Sequence, residues 1–247
     1  MIKVKLILIL QIFPVFIWSQ MSNRMPYRKA ENWLGANIDL KLNNHWKFNF
    51  ENQTRLSLGI NGFERNFTEI QIQESIAEGI SWGLSYRYIL KNQDYEENIK
   101  KYNRYNFYWS YKYYLDTRER LSIKYKIQYQ RRRETFVNTN KHVGELRKYW
   151  RLKTVFSYNI KNWKLDPRVG LEFFLRTNNH PSDQHNKYRV SIGTKKKINK
   201  NQNLTIKYML EKQYRLWNPE VMHVIGIKYN YSVNHQTKSY SNNKNND

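Results

Sequence analysis

The chain has 247 residues, with 43 Lys and Arg against 20 Asp and Glu, a net charge of +23, and 16% aromatic residues, including 20 Tyr and 8 Trp. That length suits one sizeable barrel or sandwich domain, and a strongly negative mean hydropathy beside so many aromatics argues against an ordinary soluble core and for an apolar band around a wet lumen. The absence of cysteine excludes disulfides, thiolate metal sites, a cysteine nucleophile and a lipidated amino-terminal cysteine.

Residues 1–19 read as a cleaved signal peptide. Lys3 and Lys5 precede an apolar stretch from Leu6 to Trp18, and Ser19 is a small residue at the cleavage point. The stretch is shorter than the ~20 residues that a membrane helix needs. Residues 20–32 form an amino-terminal segment with a candidate first strand, Ser22–Ala30. From Trp33 to Val233 apolar and polar residues alternate, as in Trp46-Lys-Phe-Asn-Phe50 and Ile225-Gly-Ile-Lys-Tyr-Asn-Tyr231. A strand sends successive side chains to opposite faces, so each segment has one greasy face and one wet face.

Eleven segments carry the pattern: 33–42, 46–58, 67–80, 82–91, 104–115, 120–133, 146–160, 164–177, 187–198, 203–214 and 223–233. Tight turns are expected at Asn43–His45, Ser81, Thr117–Glu119, Lys161–Trp163 and Lys200–Gln202. Longer polar loops are expected at Gly59–Asn66, Asn92–Asn103, Thr135–Glu145, Asn178–Asn186 and Leu216–Met222. Alternating short and long connections suit an all-β, transmembrane, antiparallel up-and-down (meander) β-barrel, with short periplasmic turns and longer extracellular loops. The first and last segments run the same way, so antiparallel closure calls for about 12 strands, with Ser22–Ala30 supplying the extra one.

Parity assigns faces. On 164–177, Leu165, Pro167, Val169, Leu171, Phe173 and Leu175 point out, while Asp166, Arg168, Gly170, Glu172, Phe174 and Arg176 point in. Trp46, Trp82 and Trp163 stand beside short turns, as half of an interfacial aromatic girdle would. Glu74 and Glu78 fall on the outward parity, which calls for a register bulge or a place near the headgroups. Residues 234–247 read as a disordered polar tail. The aromatic end at Tyr229 and Tyr231 lies inside the chain, whereas many bacterial barrels place it last.

Several short pieces carry a resemblance: Trp33, Glu51-Asn-Gln-Thr-Arg55, Leu84-Ser-Tyr-Arg87, Gln130-Arg-Arg-Arg-Glu134, Glu172-Phe-Phe, and Asn186-Lys-Tyr-Arg189 leading to Gly193. Over about 33–233 the chain resembles the uncharacterised outer-membrane barrels grouped as domain of unknown function 2490. The resemblance implies a meander barrel in the outer membrane and no established activity.

The candidate binding residues are the lumen-facing charges Glu51, Arg55, Arg87, Lys112, Lys126, Arg132, Arg151, Arg168, Glu172, Arg176, Arg189 and Glu211, with Glu69, Glu134, Lys195 and Lys207 on the same face. Two readings stay open ahead of a third, a lipid-modifying outer-membrane enzyme, for which no outward Ser–His pairing is found. One is a pore for small solutes whose basic excess selects anions. The other is a structural or surface-interaction barrel whose lumen is plugged by ion pairs. Arg131-Arg132-Arg133 with Arg147, Lys148 and Arg151 makes a basic cluster near the outer rim, suited to lipid phosphates or to simple solvation. His180, Asp183 and His185 share a loop but fall short of a closed metal site, and Asp94–Asn98 lacks the spacing of a calcium loop. Gly83-Leu-Ser-Tyr-Arg87 is not a nucleophile elbow. The expectation is a non-enzymatic protein with no catalytic residue, no metal and no cofactor. Its expected partners are outer-membrane lipid, the barrel-assembly machinery and small anions, not nucleic acid.

Overall fold

The computed structural model describes residues 27–58, 62–93, 96–135, 146–177, 186–214 and 219–234. The signal peptide, the tail beyond Asn234, the loop over 136–145 and the loop holding His180, Asp183 and His185 lie outside the described residues, as do Ser22–Pro26. Eleven strands follow in order: β1 Tyr27–Lys41, β2 Trp46–Ser57, β3 Phe63–Ala77, β4 Ile80–Gln93, β5 Glu96–Tyr114, β6 Leu121–Thr135, β7 Leu146–Tyr158, β8 Leu165–Arg176, β9 Asn186–Lys197, β10 Gln202–Tyr214 and β11 Glu220–Asn234. They close into one barrel in which each strand pairs with its sequence neighbours and β1 pairs with β11.

Every neighbouring pair is antiparallel except that last one. β1 and β11 run parallel, in register from Tyr27↔Glu220 to Lys41↔Asn234. The barrel therefore has eleven strands, and the expected antiparallel closure by a twelfth is replaced by a parallel seam. Tyr27–Ala30, expected in that extra strand, instead extend β1, whose edges are both filled by β2 and β11. An odd meander must bring its ends together in the same direction.

The turns between short-connected strands have local causes. The Asn43 side-chain carbonyl accepts from the His45 and Trp46 amides at 2.9 and 2.7 Å. Asp116 does the same for Arg120 and Leu121. Glu119 and Asn162 take left-handed backbone angles. The turn expected at Ser81 is at Glu78-Gly79, where Gly79 has φ +72°, and Ser81 lies within β4. A bulge between Ser75 and Ala77 precedes it. Glu78 therefore sits in the turn, and Glu74 accepts the Trp82 indole N–H at 2.7 Å. The long loop expected at Asn92–Asn103 is largely strand: β4 runs to Gln93 and β5 starts at Glu96.

The exterior is apolar and the interior polar. Ile192 is 62% exposed, Tyr105 57% and Ile70 56%, while Glu69, Glu172 and Glu211 inside are 7% or less. Exterior aromatics pair across strands, as in Tyr86–Tyr105, Trp82–Phe107 and Tyr129–Trp150. Inside, glycines make room for their neighbours. A Cβ on Gly83 would stand 2.5 Å from the Tyr108 hydroxyl, and one on Gly226 would stand 2.9 Å from the Lys207 stem.

The two positive-φ glycines separate strain from clash. A Cβ on Gly79 would meet the Lys112 carbonyl oxygen at 2.2 Å, whereas one on Gly62 meets nothing within 4 Å. Asn tolerates the left-handed region, so Gly62→Asn is expected to leave the thermal unfolding of the folded gel band nearly unchanged. Gly79→Asn is expected to cost more than about 1 kcal/mol. Equal effects would mean that the backbone angle, not the Lys112 carbonyl, sets the requirement.

Candidate functional site: the charged lumen

An eleven-stranded barrel lies between the ~8-stranded barrels that side chains fill and the 16–18-stranded ones that keep an aqueous channel. The lumen of this chain is accordingly crowded but not solid. One cavity of about 750 Å³ runs along it, lined from Lys29, Glu64 and Lys91 at the long-loop end to Asp39, Lys195 and Ser232 at the short-turn end.

Of the expected lumen charges, Glu51, Arg55, Arg87, Lys126, Arg132, Arg151, Arg168, Glu172, Arg189 and Glu211 line this cavity. Lys112 and Arg176 do not. Lys112 is exposed at the short-turn end, where its ammonium donates to the Tyr114 hydroxyl at 2.6 Å. Arg176 closes β8 at the long-loop end, and its backbone N–H donates to Asn186. The basic cluster splits by alternation. Arg132, Arg147 and Arg151 line the cavity, while Arg131 and Arg133 are exposed on the other face of β6.

Three of the buried carboxylates inside are held by cations from neighbouring strands. Glu69 on β3 pairs with Arg87 on β4. Glu172 on β8 takes Arg151 from β7 and Arg189 from β9, the latter at 3.3 Å. Glu211 on β10 takes Arg189 as well, and Lys187 at 2.6 Å. These contacts join β7 to β10 in one belt. Glu51 pairs with Lys228 at 3.3 Å, across β1. Two carboxylates with two or more cationic partners each satisfy the condition under which buried charge is tolerated.

Aromatic rings carry part of the remaining positive charge. The Arg55 guanidinium lies 3.7 Å from the centre of the Trp33 ring, Arg87 lies 3.6 Å from that of Phe67, and the Lys126 ammonium lies 3.6 Å from that of Tyr108. The negative face of an aromatic ring attracts a cation, so Trp33 and Tyr108 stand where carboxylates are missing, and Phe67 stacks on the Arg87 that Glu69 already pairs. Trp33 is fixed in turn by its indole N–H, which donates to Glu31 at 2.6 Å.

The two ends of the lumen differ. The half toward the long loops is packed, with Trp33, Phe67, Phe174, Met209, Met222 and Val224 all buried among the ion pairs. The half toward the short turns is lysine-rich. Lys126, Lys153, Lys195, Lys207 and Lys228 line it beside the small residues Gly170, Ser191 and Gly193.

Sequence reasoning left several of these residues aside. Arg104, Lys153, Lys187 and Lys228 all face in on the same alternation as residues that were singled out. The signal was present in their parity, but their partners depend on strand register. The aromatic lining of Trp33 and Phe67 has no signal in the alternation, because aromatics on a wet parity break it.

The belt makes a stability prediction. Glu172→Ala takes the carboxylate from Arg151 and one of two from Arg189, leaving buried charge uncompensated. It is expected to destabilise the folded barrel by about 3–5 kcal/mol, read by urea unfolding of the purified protein. A change below about 1 kcal/mol, the scale of exposed pairs, would show that water already screens this belt.

A search of characterised proteins found no match to the chain. A family model, described as "Protein of unknown function (DUF2490)", matches residues 30–221. The matched span runs from the start of the Trp33 strand to the first residues of β11, and so covers every charged position of the belt. On that match, the chain, itself a β-barrel, belongs to this family of proteins of unknown function.

Proposed function

We propose that the protein is a non-enzymatic outer-membrane barrel, exported through its amino-terminal signal and offering small anions a narrow, basic passage. The observation that carries this reading is the cavity lined mostly by charged and polar groups, with cations in excess. Rings of Lys and Arg favour anions in such a conduit. Spread over an apolar band roughly 25 Å tall, the cavity has a mean free section of about 30 Å². That section suits small ions and small solutes.

Placement in a membrane is supported by the exterior. A soluble monomer rarely exposes a large continuous apolar surface. Here Leu34, Phe50, Ile70, Leu84, Tyr105 and Trp109 are all exposed on one side of consecutive strands. Trp46, Trp82 and Trp163 gather at the short-turn end, where indoles at a lipid–water boundary are favoured. Contact with lipid and insertion by the barrel-assembly machinery follow from this placement. The closed structural barrel is the second reading, and the packed half of the lumen, with Glu172 and Glu211 tied to Arg151, Arg189 and Lys187, is what favours it.

Two measurements test the proposal. The expressed protein is expected in the outer-membrane fraction, migrating differently with and without boiling; recovery in the soluble fraction would end the membrane reading. In planar bilayers under a salt gradient, the reversal potential is expected to report anion preference. Lys126→Glu combined with Lys207→Glu is expected to reduce or invert it. Absence of conductance in the unaltered protein would leave the closed structural barrel as the account, and cation preference would overturn the anion passage.

A further inference from the structure

Inward arginines are concentrated on one side of the packed half. Reading across the ladder from β3, one row runs Glu69, Arg87, Arg104, Arg132, each directly opposite the next. A second row runs Arg55, Arg65, Lys91 on β2, β3 and β4. Like charges directly opposite on neighbouring strands destabilise a sheet. Ion pairs do not neutralise these rows. Glu69 engages Arg87, and Glu64 engages Arg65 at 2.9 Å and Lys91 at 4.0 Å.

A second observation is independent of the charge count. Buried guanidinium nitrogens of Arg55, Arg65, Arg104 and Arg132 have no hydrogen-bond partner among the described residues, and Arg104 has two such atoms, Nε and Nη2. A buried donor left without an acceptor costs free energy. Stacking does not fill the need. Arg55 lies over Trp33, and Arg132 lies 4.7 Å from the centre of the Tyr102 ring. A ring engages the face of a guanidinium and leaves its in-plane N–H groups free to donate. The aromatic residues therefore hold the forks in place with their donors unspent. All of these residues line the cavity.

We propose that Arg55, Arg65, Arg104 and Arg132 form a binding site for a phosphoryl oxyanion, either free phosphate or the phosphate group of a small solute. Guanidinium forks match phosphate oxygens bidentately. Forks arriving from β2, β3, β5 and β6 need an acceptor with oxygens in several directions. A tetrahedral dianion meets that need; chloride, or a single planar carboxylate, leaves donors unfilled. The site deepens the proposed anion passage and rests on that reading of the lumen.

The test uses the full-length folded barrel in detergent micelles and reads thermal unfolding by tryptophan fluorescence. The protein is titrated with sodium phosphate, with glucose 6-phosphate, and with sodium chloride at matched ionic strength. Phosphate is expected to raise the unfolding temperature saturably above chloride. A response to inorganic phosphate alone assigns the free anion; a response to both assigns the phosphoryl group of a solute as well. Arg104→Gln is expected to weaken the apparent affinity by about 10- to 100-fold and to raise the unfolding temperature in phosphate-free buffer. Arg131→Gln, on the exterior beside Arg132, is expected to leave the phosphate response intact. If Arg104→Gln does not fold, Arg104→Lys keeps the charge, loses the fork and gives the same readout. A phosphate response no larger than that of chloride, or one unaltered at Arg104, overturns the site. Because no membrane or current is involved, that failure is separate from failure of the anion passage, which bilayer recordings decide.

Discussion

A β-strand leaves N–H and C=O groups along both edges, and a sheet stops being a liability only when no edge remains open. In this chain the whole arrangement depends on the one contact that is not local in sequence, the parallel seam between β1 and β11. The other ten pairings join strands adjacent in the chain and follow from short or modest connections. The seam joins residues nearly two hundred positions apart and is slightly weaker per residue for being parallel. Its length offsets this, since it runs in register over all of β1. Once it forms, the meander becomes a ring, and every inward side chain is committed to a shared enclosed volume.

That enclosure turns the chain's basic composition into a structural problem. A cation on an open sheet keeps its water, but a cation inside a closed barrel shares a limited volume with the others. The chain uses three answers in different places. Carboxylates are shared between two cations, as at Glu172 and Glu211. Aromatic faces substitute for carboxylates at Trp33 and Tyr108. Small residues such as Gly226 let the Lys207 stem lie across β11, so that its ammonium lies 5.4 Å from the centre of the Trp33 ring. None of these answers reaches all the guanidiniums of β2 to β6.

Much of the fold was legible because alternation is a one-dimensional record of which face a residue occupies. β8 is the clearest case. Asp166, Gly170, Glu172 and Phe174 are buried, while Val169 and Leu175 are exposed, as parity requires. The reading failed where the two faces stop differing. From Asn92 to Asn103 the chain is polar on both parities, so it looks like a loop, yet backbone pairing continues past the apolar band. It failed again at Ser81, where the left-handed Gly79 was the better signal for the turn. The count of about twelve lies one above the eleven described strands for a global reason: antiparallel closure requires an even number, and the seam is parallel. In the site, the inward residues were legible and their partners were not. Whether Glu172 meets Arg151 and Arg189 depends on the register of three strands, which parity leaves undetermined.

The distribution of these partners bears on what the lumen is for. A barrel needing only to be filled gains nothing from charge, since apolar side chains of similar volume fill space at lower cost. This chain places apolar groups inside as well, with Val224 fully buried and Met209 and Met222 nearly so. The interior therefore combines an apolar cluster on β1, β10 and β11 with charged rows on β2 to β6. Filling explains the first side. It does not explain arginine facing arginine on β4, β5 and β6, where each added guanidinium raises the repulsion felt by the next. Such an arrangement is stabilised by something negative that arrives after folding, seated among Arg55, Arg65, Arg104 and Arg132, whose buried nitrogens lack acceptors among the described residues.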